Sequence, residues 1–132
     1  MPLLSSRSLA LETLAGVNRG KYGNIAVDTV LRRTHLSEAD KHLLTALVYG
    51  VIERQVTLDF LINQLSDRPA DSLDETLRLA LRMGLYQLIY MDRIPDHAAV
   101  GETVALLPKR TRGYANAILR AYLRFEASLS EA

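Results

Sequence analysis

"DRIPDHAAVGETVALL", Asp92 to Leu107, is the stretch on which the reading of this chain turns. It joins a charged pair and an Ile-Pro step to a histidine and an apolar run. As a catalytic segment it would make His97 a general base, which needs a hydrogen-bonded partner and a substrate pocket. Asp92, Asp96 and Glu102 lie near in sequence, but none stands at a recognised spacing from a second histidine. His35 and His42 lie elsewhere; Glu38 and His42 are i,i+4 and read as a surface contact. As a structural segment it starts a helix near Pro95, because proline lacks only an N–H that has no partner in a first turn. That helix runs to about Leu107, with Pro108 as its stop. The structural reading is the better one, with His97 shaping the helix start through local backbone bonds.

Outward from this stretch, helical periodicity recurs and strand-like alternation does not. The first helix covers about Ser6 to Val17, capped by Ser5 or Ser6, with a stripe of Ala10, Leu11, Leu14 and Val17. Gly20 and Gly23 bracket a turn, and a second helix covers about Asn24 to Arg33 with Ile25, Val27, Val30 and Leu31 inward. "LSEAD" opens the third. Ser37 is its cap, Glu38 and Asp40 suit the positive end of the helix dipole, and its thin polar face places it at the bundle centre. Thr57 is the expected cap of a fourth helix, "LDFLINQL". After the loop "SDRPADS", Ser72 with Glu75 reads as a capping box for a fifth helix of about Leu73 to Met91. Gly84 inside that helix predicts close approach of a neighbour, since glycine there costs up to about 1 kcal/mol against alanine. The seventh helix covers about Arg112 to Ala127, with Ala115, Ile118, Leu119 and Tyr122 inward. The expectation is one all-α domain over residues 1–132, a bundle of about seven helices in two packed halves, N-terminal and C-terminal, divided near residues 66–72.

Nearly half of the 132 residues are apolar and about a quarter are charged, a globular balance. The formal net charge is +1, so any nucleic-acid claim rests on where the charges sit. Cysteine is absent, which excludes a disulfide framework, a thiolate metal site and a cysteine nucleophile, and fits a cytoplasmic protein. The longest apolar run, "LLTALVYGVI" at Leu43 to Ile52, falls short of the roughly 20 residues of a membrane span. The N-terminus reads as no signal peptide. No nucleophile elbow, Walker loop or dinucleotide-binding glycine pattern appears. The expectation is a non-catalytic chain with no metal and no cofactor.

The basic residues carry more. "LPKRTRGYANAILRAYLR" sets Lys109, Arg110 and Arg112 in one turn with Tyr114 next, then Arg120 and Arg124 outward at i,i+4, with no acidic residue until Glu126. Charge for phosphates and a ring for a base are what a single-stranded RNA site needs; a solvated helix end has the same composition. Arg7 lines up with the apolar stripe of the first helix, so its stem is expected to pack and its head to stay exposed. Asp74 and Arg78, also i,i+4, read as a surface pair. Tyr49, Phe60, Tyr86 and Tyr90 read as core, or as a protein-docking face where exposed.

Three segments together carry a family resemblance: "LSEADKHLLTALVYGVIERQVTLDFLINQL", "LRLALRMGLYQLIYMDRIPDHAAVGETVALL" and "GYANAILR". They resemble the NusB-like domain, most closely the version at the N-terminus of RsmB/Sun-type ribosomal RNA cytosine-5 methyltransferases, over about Arg7 to Arg124. The resemblance implies the NusB fold and RNA binding, ribosomal RNA above all. The implied partners are the chain's own methyltransferase domain or a ribosomal protein, and a homodimer is open because some NusB proteins pair. The methyltransferase reaction uses S-adenosylmethionine and two cysteines on a separate domain, so it is not expected of this chain. Arg7 matches the arginine that opens the family's first helix. Pro95, His97 and Ala98 match its Pro-x-His-Ala segment. Asn116, Leu119 and Arg120 match its last motif, with Asn116 expected to tie the seventh helix to a neighbour. Gly101 stands where asparagine is usual, and Pro108 interrupts the usual lysine-bearing helix end. The resulting RNA candidates are Arg7, Lys109, Arg110, Arg112, Arg120 and, as a stacking ring, Tyr114. The alternatives are a freestanding NusB-like antitermination regulator or a protein-docking domain.

Overall fold

Every residue from Leu79 to Leu85 is buried, a run that a helix with one face to water does not show. The computed structural model, which describes residues 5–131, puts that helix in the middle. Its elements are α1 (Ser6–Asn18), α2 (Gly23–Arg33), α3 (Glu38–Glu53), α4 (Gln55–Leu65), α5 (Glu75–Tyr90), α6 (Asp96–Val104) and α7 (Lys109–Glu131), with one 3-10 turn at Ala70–Ser72. No strand occurs among the described residues. α5 packs against α1, α3, α4, α6 and α7, while α2 lies on α1 and α3. The centre is thus α5 rather than the expected α3. The two halves share it, and one buried cluster runs from Leu9 to Tyr122. Among the described residues no helix is long and apolar enough to cross a membrane.

The helix starts follow local chemistry, with corrections. Ser5 caps α1 in a reciprocal box with Ser8, and the neighbouring Ser6 is buried, donating to the Asp40 carbonyl at 3.0 Å. Ser37 caps α3 through the Asp40 N–H, as its sequence predicts. Thr57 caps nothing: α4 follows α3 after Arg54 alone and already includes it. Ser72 turns back to the Pro69 carbonyl, and Asp74 caps α5 instead. Asp74 is thereby occupied, and Arg78 donates to the Leu73 carbonyl rather than pairing with it. Gly20 holds the turn after α1 at φ +106°, a conformation that favours glycine, whereas Gly23 is already helical. Ile25 is exposed, not inward, and the buried face of α2 is Ala26, Val27 and Val30.

Gly84 does mark a close approach. A Cβ there would stand 2.8 Å from both methyls of Leu119, the fully buried contact of α7 on α5. Gly50 does the same for the Tyr86 ring, so α3 and α5 meet where α3 has no side chain.

Candidate nucleic-acid interface

Sorting the cations by partner locates the surface that composition could not. Of the 16 lysines and arginines, six stand in ion pairs: Arg7, Arg19, Arg32, Arg33, Lys41 and Arg82. Arg68, Arg78 and Arg112 donate to backbone carbonyls, and Arg54 lies over the Tyr90 ring. Among the described residues, Lys109, Arg110, Arg120 and Arg124 have no carboxylate and no hydrogen-bond partner, and all four are on α7. Elsewhere, among the described residues, only Lys21 and Arg93 share that state.

The period of α7 gathers these four. At about 100° per residue they fall, with Gly113 and Ala117 between them, in a sector of roughly 100° along about 22 Å of axis. The opposite side holds Ala115, Ile118, Leu119 and Tyr122, all buried as expected. No acidic residue interrupts α7 before Glu126. Lys109 and Arg110 also sit in its first turn, where the helix dipole is itself positive and no acidic side chain offsets it. Cations there are unfavourable by about 0.3–1 kcal/mol each, and an incoming anion relieves that cost.

The other sequence candidates are occupied within the fold. Arg7 has a side chain only 12% exposed; its Nη1 lies 3.0 Å from Glu102 Oε2. Its Nε donates to Gln87 Oε1 at 2.8 Å. The buried Gln87 amide in turn donates to the Met83 carbonyl and the Thr103 hydroxyl. The arginine head therefore ties α1 to α5 and α6 rather than facing solvent. Arg112 folds back on the end of α6, donating to the Leu107 and Ala105 carbonyls at 2.7 and 3.2 Å. Tyr114 packs half-buried against the core; its hydroxyl donates to Asp67 Oδ1 at 3.0 Å and meets Ser66 Oγ. That anchors α7 to the end of α4 and takes the ring out of free movement. Asn116 makes no side-chain bond among the described residues, so the expected tie to a neighbour is absent.

His97 is exposed in the first turn of α6, and no hydrogen bond to it occurs among the described residues. Pro95 and the helix geometry, not the histidine, set that start. Among the described residues no three His, Asp or Glu side chains come together as metal ligands. Tyr49, Phe60 and Tyr90 are exposed, and Tyr86 is half-buried. Phe60 lies one turn after Val56, opposite the buried Leu58 and Ile62 of α4. The signal for this was an apolar pair at i,i+4 on the side of α4 away from its core stripe.

Comparison with known proteins agrees with this fold. The model of the NusB family matches residues 4–124. The probable ribosomal RNA small subunit methyltransferase B of Synechocystis is 42% identical over 94% of this chain, which covers 29% of that protein. Its counterpart in Bacillus subtilis is 32% identical over the same shares. The chain thus spans under a third of these relatives and matches only their N-terminal, NusB-like part, a non-catalytic region. That placement, and not the lack of cysteine, is what bears on catalysis. NusB of T. maritima superposes with a TM-score of 0.76 at 20% identity, covering 87% of this chain and 85% of that one, a likeness of fold.

Proposed function

Because the chain belongs to the NusB family, we propose that it is the RNA-binding, non-catalytic part of a small-subunit ribosomal RNA cytosine-5 methyltransferase. In this reading it grips ribosomal RNA by its phosphates and presents it to a separate catalytic domain in the cytoplasm. The observation that carries the reading is the outward face of α7, with four cations that no carboxylate among the described residues neutralises. Phosphate contacts of this kind fix position and orientation and do not read sequence. The stripe takes the place of the wider set expected from sequence: Arg120, Arg110 and Lys109 remain, Arg124 joins, and Arg7, Arg112 and Tyr114 act in packing.

Cross-linking of the chain to small-subunit ribosomal RNA, followed by peptide mapping, tests this. Cross-links concentrated in Lys109–Arg124 are expected. Cross-links on α1 and α2 with none on α7 would contradict the assignment. A second reading, a freestanding NusB-type regulator that binds RNA beside a protein partner, is favoured by the alignment of most of this chain with most of T. maritima NusB.

A further inference from the structure

Phosphate contacts alone leave the bases unread, and the ring assigned to them by sequence, Tyr114, is anchored to Ser66 and Asp67. Another ring takes its place. Phe60 is 60% exposed and Val56, one turn earlier, 85% exposed, on a helix whose other side is fully buried at Leu58 and Ile62. A helix apolar on both sides is covered on both in most folds, so the outer side of α4 is built to meet something.

Its position says what. α4 and α7 pack together. They run antiparallel, because Tyr114 near the start of α7 meets Ser66 just past the end of α4. At the other end, Arg54 before α4 lies 4.9 Å over the Tyr90 ring, and Tyr90 is close enough to Tyr122 to act on its ionisation. Phe60 precedes Ser66 by as many residues as Arg120 follows Tyr114. At a rise of 1.5 Å per residue each is about 9 Å from that anchor, so the two stand level. Both are exposed.

We infer that Phe60 is a base-stacking platform beside the α7 cations, and that the ligand of this surface is a single-stranded segment of RNA. An unpaired strand offers what the surface fits: phosphates for Arg120 and Arg124, and a splayed base whose face lies on the phenyl ring. An apolar protein partner would bury Phe60 and Val56 but would leave the adjoining cations unmatched. The inference rests on the RNA-binding reading above.

The chain has no tryptophan, so Phe60→Trp installs a single indole reporter. The probes are an oligoadenylate of about twelve nucleotides, within the usual site size for single strands, and an abasic ribose-phosphate strand of the same length and charge. Oligoadenylate is expected to quench the Phe60→Trp emission along the same curve as binding measured by anisotropy, and the abasic strand is expected to leave it unchanged. Phe60→Ala and Phe60→Leu are both expected to weaken oligoadenylate binding by roughly tenfold, the loss of one stacked base, with abasic binding unchanged. Binding without quenching, full affinity in Phe60→Leu, or equal losses for both strands would overturn the stacking role while leaving RNA binding in place. No binding of either strand by the parent chain would overturn both.

Discussion

Arg7 and Gln87, 80 residues apart in sequence, are joined by a 2.8 Å hydrogen bond from the arginine Nε to the amide oxygen. Gln87 is 1% exposed, so removal of Arg7 leaves a buried acceptor without a partner, a cost of about 1–3 kcal/mol. Loss of the Glu102 contact adds little, because that carboxylate is mostly in water. Arg7→Ala is expected to lower the Tm by several degrees. RNA affinity measured well below that temperature should stay within about twofold, far less than the tenfold per 1.4 kcal/mol of a lost direct contact. Thermal melts and anisotropy on one preparation check both.

Asp59 and Arg82 tie α4 to α5 through two parallel bonds at 2.7 and 2.9 Å, with Arg82 only 5% exposed. Asp59→Ala strands a buried guanidinium and is expected to cost about 3 kcal/mol or more. Adding Arg82→Met should recover most of that loss, since an apolar side chain of similar length needs no counter-charge. Urea unfolding of both single variants and the double variant reads the coupling.

Two glycines predict opposite signs. Gly84→Ala drives a methyl into the fully buried Leu119, which cannot move aside, and overpacking of about 1–3 kcal/mol exceeds the gain in helix propensity of about 1 kcal/mol. Gly101→Ala meets nothing within 4 Å on the exposed side of α6 and is expected to stabilise by up to about 1 kcal/mol. Denaturant midpoints at unchanged m decide each case.

Tyr122 supplies a pH dependence. Its phenol is pushed up from 10.0 to about 12, first by burial and then by the charge and hydrogen bond of Glu126. The unfolded chain therefore loses this proton first as pH rises. The stabilisation is whole below the unfolded value near 10 and is lost as pH climbs toward the folded value near 12. Tyr122→Phe is expected to flatten the fall of Tm over that range. An identical alkaline profile for parent and variant would contradict it.

Much of this was legible in sequence where one helix sufficed to decide it. Ala115, Ile118, Leu119 and Tyr122 inward, with Arg120 and Arg124 outward, follow from the period of α7 alone. Gly84 announced a helix contact because nothing else justifies a glycine there. Long-range partners were not legible. Arg7 looks the same whether its head meets water or Gln87, and Tyr114 gives no sign of Ser66 and Asp67 on another helix. The centre of the bundle was misplaced because α3 and α5 are both rich in apolar residues, and only α5 is surrounded. The caps at Thr57 and Ser72 failed where a nearly continuous helix and a nearer aspartate competed.

The claim that α7 grips RNA through its outward cations is tested most directly by anisotropy of the chain on a labelled single-stranded fragment of small-subunit ribosomal RNA across a salt series. Four phosphates neutralised predict a log–log slope of about −2.8, at about −0.7 per phosphate. Arg120→Gln with Arg124→Gln should reduce it to about −1.4 by the same relation, with helicity unchanged. The same slope in parent and variant, or no binding even at low salt, would contradict the account.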